Sequence, residues 1–132
     1  MFNVLHINTR FSGGGAAVAS TRLHEGLKKA GCKSKFMVGA SSGELGEVQV
    51  VPYDWKTRWL HRLLPLIGLN YLEYQEGSFK IPQHKFYQEA DILNFHNIHR
   101  DFFSYLSLPI LTSEILYHYI HFGLISLGRK LH

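Results

Sequence analysis

The sequence predicts an α/β domain: a parallel sheet with flanking helices. Three observations carry that expectation. An apolar run at the amino terminus leads into a triple-glycine loop, and the apolar period after it changes from strand-like to helical. A later apolar run, Ala90 to Phe95, ends in the polar turn His96-Asn97-Ile98-His99.

Phe2 to Ile7 is rich in β-formers, interrupted by His6, and reads as a buried first strand. Asn8 to Gly15 is the connecting loop. From Ala16 onward, Ala16, Ala19, Leu23, Leu27 and Ala30 recur at steps of three and four, with Arg22, Glu25, Lys28 and Lys29 off that stripe. This is the pattern of an amphipathic helix, and Gly31 follows as its stop. Ser34 to Val38 reads as a second strand, so the opening segment is a βαβ unit with parallel strands and a right-handed crossover. Ala40 to Gly46 is a Gly/Ser loop, and Val48 to Val51 is a third strand ended by Pro52. Asp54 can cap a helix that runs to Leu64, beyond which Pro65 and Gly68 end or kink it. Asn70 to Gln83 reads as irregular and aromatic, Ala90 to Phe95 as a further buried strand, and Leu106 to His132 shows no clear period. No internal repeat, low-complexity tract or linker divides the chain.

The 132 residues suit one domain with a modest core, and 45% hydrophobic against 18% charged residues is a globular balance. The formal net charge of +4 suits an anionic partner such as a nucleotide, a lipid diphosphate or an anionic bilayer, and equally a slightly basic soluble protein. The lone Cys32 excludes an internal disulfide and a cysteine-based metal site, and fits a reducing cytoplasm. The amino terminus lacks the basic region and long apolar run of a signal peptide, and no apolar stretch reaches the ~18–20 residues of a membrane span.

Three segments have the residue types for chemistry. The first is Ser12-Gly13-Gly14-Gly15, between a strand and a helix. Free backbone N–H groups at a helix start attract anions, and glycines let a phosphate or sugar approach the backbone closely. The block is not the G-x-G-x-x-G fingerprint, because Val18 stands at the third glycine position, and it lacks the Lys-Ser/Thr of a P-loop. Taken alone it also fits a flexible turn packed against the sheet. The second is His96, Asn97 and His99 at the carboxyl end of a strand, the edge where open parallel sheets bind ligands. These histidines can serve as acid or base, as donors to a sugar, or simply shape the loop; no third ligand is evident for a metal. The remaining histidines, His6 and His24 among them, look scattered and read as structural or solvated. The third is the helix of Trp55, Lys56, Arg58, Trp59 and Arg62, which suits a bilayer interface with its cations on acidic lipids. Its alternative is an ordinary amphipathic helix whose tryptophans help form the core.

Leu5-His6-Ile7-Asn8, Phe11 to Ala17, Arg22 to Leu27 and Ala90 to His99, in that order and spacing, resemble the N-terminal domain of bacterial family-four glycosyltransferases of the capsular and exopolysaccharide type. The resemblance runs from residue 1 to about residue 111. It implies an incomplete N-terminal half of a GT-B fold, a Rossmann-like domain on the acceptor side of a cleft. It further implies sugar transfer from a nucleotide-sugar to a glycan or lipid-linked acceptor with retention and no required metal or other cofactor. Gly13 to Gly15 match the loop that lines that cleft, and His96 matches a position facing it. The chain departs from the pattern after Leu111. The aromatic-Thr-Leu-His-Asp motif and the donor-binding domain are absent, Arg100-Asp101 stands where Gly-Gly is common, and no catalytic residue is carried over. Residues 112–132 are accordingly expected to be a divergent, even out-of-frame, tail, and the chain to be inactive alone. The competing expectations are a self-contained module for a small anion or nucleotide and a membrane-surface protein on the inner membrane face. No nucleic-acid motif is present, and none is expected as a partner.

Overall fold

The computed structural model describes residues 1–40, 46–69, 74–98 and 102–112, together with the backbone of 115–120 and 125–130. Strand β1 (Asn3–Arg10) is followed by helix α1 (Gly15–Lys29), strand β2 (Lys33–Ala40) and strand β3 (Val48–Val50). Helix α2 (Trp55–Leu63) continues into a 3-10 turn over Leu64–Ile67. The short helices α3 (Glu76–Lys80) and α4 (Lys85–Gln88) precede strand β4 (Ile92–His96). Helix α5 (Leu108–Thr112) and strands β5 (Ile115–Ile120) and β6 (Ile125–Lys130) complete the described elements.

The sheet order is β3-β2-β1-β4-β6-β5. The first four strands are mutually parallel, which with the flanking helices gives the expected Rossmann-like α/β arrangement. The segment after Leu106, whose sequence shows no clear period, contributes two strands: β6 pairs antiparallel with β4, and β5 pairs antiparallel with β6. A hairpin needs no crossover helix, so this short segment can extend the sheet. The reading of Asn70 to Gln83 as irregular is corrected in part. Residues 70–73 lie outside the described residues, but Gln75 caps α3 by accepting from the Gly77 N–H. A five-residue helix is too short to show an apolar period, which is why the sequence hides it.

Helix α1 ends as its glycine foretold. Gly31 has φ 85°, the Gly31 N–H donates to Lys28 O at 3.0 Å, and the Cys32 N–H donates to Leu27 O at 2.9 Å. That is a Schellman closure. Its buried face, however, is not the expected alanine–leucine stripe. Ala17, Ser20 and His24 are buried, whereas Ala19, Leu23 and Ala30 are exposed.

The reason lies in the sheet. Side chains alternate along each strand. Leu5, Ile7, Met37, Leu93 and Phe95 face away from α1 into the main core, with Val51, Ile81, Tyr87, Phe102, Phe103 and Leu111. The opposite face carries His6 and Asn8 on β1, Ser34 on β2, and Asn94 and His96 on β4, all at most 5% exposed. Helix α1 packs there, so it turns polar residues inward.

Gly39, near the end of β2, fixes the approach of Phe102 to the main core. A methyl group on Gly39 would overlap the Phe102 ring and its Cβ. We expect Gly39→Ala to destabilise the fold by about 1–3 kcal/mol through overpacking. Urea unfolding checks it; a change below about 0.5 kcal/mol, the scale of a neutral surface substitution, would show that Phe102 moves freely.

Candidate functional site

Strands β1 and β4 are neighbours, with Asn8 in register with His96. Their carboxyl ends therefore open side by side. The β1 exit leads through Ser12, Gly13 and Gly14 into Gly15 at the start of α1, and all four residues are exposed. Gly13 and Gly14 both have φ 84°, a conformation that disfavours any side chain, and open space surrounds the position a Cβ would take. No side chain caps α1, and no acidic residue occupies its first turn. The first N–H groups of a 15-residue helix thus face outward with the positive end of its dipole.

The β4 exit supplies His96 and Asn97. Asn97 has φ 45°, the left-handed conformation that asparagine tolerates better than other side chains. Its carbonyl accepts from the Thr9 hydroxyl, which ties the β4 exit to the β1 exit. Ser12 to Gly15, His96 and Asn97 are thus brought to one edge. His99 lies outside the described residues.

His96 does not stand alone. Its Nε2 is 3.0 Å from His6 Nδ1, and His6 Nε2 is 3.0 Å from the Ser34 hydroxyl. The same hydroxyl is 2.7 Å from His24 Nδ1, and His24 Nε2 is 3.4 Å from Glu47 Oε2. Glu47 in turn pairs with Lys28 at 2.7 Å. His6 also stacks on Phe36, with ring centroids 4.8 Å apart. Beside this chain, the Asn8 amide donates to the Ser20 hydroxyl at 2.9 Å, and Ser20 donates to Ala17 O at 3.0 Å. Two histidines that look scattered in the sequence, His6 and His24, therefore join the site through a buried polar layer.

Sequence reasoning missed His6, Asn8, Ser34, His24 and Glu47. A signal was available: His6-x-Asn8 and Asn94-x-His96 place polar residues at alternate positions of two strands expected to be buried. Strand period puts each pair on one face, and parallel pairing puts the two pairs on the same face. Among the described residues, no three histidine, cysteine or acidic side chains are arranged to hold a metal ion.

The rings are held neutral. Burial, then the neighbouring His96 and His24, lowers the His6 pKa to about 3, and burial lowers that of His96 to about 4. His24 is lowered chiefly by burial, opposed by the Glu47 carboxylate.

The basic aromatic helix behaves differently from the expectation that its tryptophans join the core. Trp55 and Trp59 are 66% and 57% exposed. With Leu63 they form an i, i+4, i+8 stripe, while Thr57 on the opposite face is buried. Lys56, Arg58 and Arg62 are exposed around that stripe, and Leu66 and Ile67 extend it as strongly exposed residues. Among the described residues no helix is long and apolar enough to cross a membrane.

The fold and edge define a Rossmann-like α/β domain with a glycine loop and a histidine at one carboxyl edge. No protein-family model, curated protein or solved structure matches the chain.

Acid should unfold this protein through its buried rings. Unfolded histidines titrate near 6.5, whereas folded His6 and His96 titrate near 3 and 4. The unfolded chain therefore binds roughly two more protons between those values, so their contribution to stability is present above pH 6.5 and lost progressively below it. We expect urea midpoints to fall steadily from pH 7 to pH 4.5, with a shallower slope in His96→Gln. A midpoint independent of pH over that range would contradict the neutral, buried assignment.

Proposed function

We propose that this chain is the acceptor-side wall of a sugar-transfer cleft, of the glycosyltransferase type its sequence resembles. The loop at Ser12 to Gly15 would take the phosphates of a nucleotide-sugar or of a lipid-diphosphate acceptor. His96 and Asn97 would contact the sugar. One observation carries the reading: an uncapped helix start behind two left-handed glycines opens at the same sheet edge as a neutral, buried histidine. Backbone N–H groups and a dipole select negative charge, and a neutral imidazole can donate to or accept from a hydroxyl. Transfer needs donor and acceptor held in line, and the second wall that would bind the donor nucleotide belongs to a partnering domain. Binding without turnover is therefore the expected behaviour of these 132 residues.

Calorimetric titration with uridine and guanosine diphosphates, their sugar conjugates and inorganic pyrophosphate tests this. We expect saturable binding that weakens at least tenfold, about 1.4 kcal/mol, in Gly14→Val, because valine resists a φ of 84°. Absence of binding across the panel, or full retention in that variant, would contradict it.

A second reading is favoured by the exposed stripe on α2. Tryptophans and leucines flanked by cations suit the headgroup boundary of an anionic bilayer, where each cation contributes about 1 kcal/mol. This would keep the cleft beside lipid-linked acceptors. Vesicle flotation should recover the protein with phosphatidylglycerol and not with phosphatidylcholine alone. Replacing Lys56, Arg58 and Arg62 together by serine should abolish the difference, and replacing Trp55 and Trp59 by alanine should weaken binding to the phosphatidylglycerol vesicles. Equal binding by the serine variant would remove the electrostatic part of the reading.

A further inference from the structure

The buried polar layer between the sheet and α1 is continuous from the carboxyl edge to the surface. Its members in order are His96, His6, Ser34, His24 and Glu47, with successive separations of 3.0, 3.0, 2.7 and 3.4 Å. The first four are at most 6% exposed. The Glu47 end opens into a surface groove of about 360 Å³ lined by Phe11, Thr21, His24, Lys28, Glu47 and Val48, among others. We infer that these five side chains form a proton relay between that groove and the edge where His96 stands.

The direction of every hydrogen bond follows from the one group that can only accept. An ionised Glu47 carboxylate has no proton to give, so the facing His24 Nε2 carries one. Neutral His24 then has a lone pair on Nδ1, which accepts the Ser34 hydroxyl proton. The Ser34 oxygen, having spent its proton, accepts from His6 Nε2–H. His6 Nδ1 is consequently bare and accepts from His96 Nε2–H. His96 is left with a lone pair on Nδ1, which has no hydrogen bond among the described residues. The resting relay therefore presents a base at the sheet edge.

One proton crosses to Glu47 by five transfers, and a sixth gives it to water. A bound hydroxyl or phosphate acid gives its proton to His96 Nδ1, and His96 releases its Nε2 proton to His6 Nδ1. His6 releases its Nε2 proton to Ser34, Ser34 passes its own to His24 Nδ1, and His24 releases its Nε2 proton to Glu47 and so to water. Each ring ends neutral with its proton on Nδ1 instead of Nε2. Reverse flow from water restores the first state and returns a proton at His96. No ring bears a lasting charge in the buried layer, where a charge is costly.

Protonation of His24 should run through the relay itself: its groove-facing Nε2 already holds a proton, so the second reaches Nδ1 from Ser34 as water at the sheet edge gives a proton to His96 Nδ1 and His96, His6 and Ser34 each pass theirs on. Imidazolium donates from both nitrogens, so Ser34 turns to donate to His6, and both His6 and His96 move their protons to Nδ1. The charged groups that set the His24 midpoint are Glu47 and Glu25, which favour the cation, and Lys28, which opposes it. His6 faces it directly, with ring centroids 6.2 Å apart, and His96 reaches it through His6. The relay shares His96 with the proposed cleft, but its test needs no ligand, so the two fail separately.

The test is long-range nitrogen–proton NMR of the histidine rings in the whole chain from pH 8 to pH 5. The relay predicts Nε2–H on His6, His24 and His96 at pH 8. As His24 gains its second proton, His6 and His96 should convert to Nδ1–H with the same midpoint. Glu47→Gln, an exposed change, should lower all three midpoints together. Ser34→Ala should leave His24 titrating while His6 and His96 no longer follow it. Tautomers of His6 and His96 that stay fixed while His24 titrates in the unsubstituted chain would overturn the relay, as would Nδ1–H on His96 at pH 8. If Ser34→Ala does not fold, the common shift in Glu47→Gln decides the matter; a shift confined to His24 refutes the relay.

Discussion

The contact between α1 and the central sheet is polar, and much of the rest follows from that. His6, Asn8, Ser34, Asn94 and His96, at most 5% exposed, lay a polar strip across a strand face that also holds Val4, Phe36 and Val38. Burying such groups costs about 1–3 kcal/mol for each one left without a partner, so they impose registration. Ser20 and His24 on α1 are turned inward, where they partner Asn8 and Ser34. Leu23, which an apolar sheet would have captured, is left 41% exposed. A one-residue rotation of the helix or slip of a strand would orphan several donors at once, whereas an apolar face would tolerate it.

The larger apolar cluster lies on the other side, and a smaller one of Phe36, Val38 and Val48 lies on the α1 side. In the larger one Leu5, Ile7, Leu93 and Phe95 meet Phe102, Phe103 and Leu111, and the Tyr87 hydroxyl donates to Leu111 O at 3.0 Å. The two faces thus divide the labour. The segments flanking α3, α4 and α5 close the main hydrophobic core, while α1 covers a mixed layer whose polar strip ends at the carboxyl edge beside the glycine loop. That division explains how a small sheet can be stable and still carry a neutral histidine where ligands of parallel sheets bind.

Most of the sheet was legible. The apolar runs of β1, β2 and β4 and the triple glycine with Gly31 located the βαβ unit, because strand burial and glycine's access to positive φ leave a plain mark in sequence. The site was legible only at its rim. Ser12 to Gly15, His96 and Asn97 were placed by their position after strands, but His6 and His24 were not, because their partners lie 90 and 10 residues away in the chain. Pairing across a sheet is what joins them. The inward face of α1 was misread for the same reason: apolar periodicity finds the buried face only when what it packs against is apolar. Trp55 and Trp59 show the converse, since two large aromatic residues stay outside. The hairpin of β5 and β6 has no alternation to betray it, and its position on β4 is a tertiary fact.

The central claim is that the carboxyl edge of β1 and β4 is the place where an anionic sugar ligand binds. Amide chemical-shift mapping with a uridine diphosphate sugar tests it most directly. The account predicts that the largest changes fall on Ser12 to Ala17 and on His96 and Asn97, with a smaller response carried to His6. Changes confined to the α2 stripe or the groove beside Glu47, with the glycine loop silent, would contradict it.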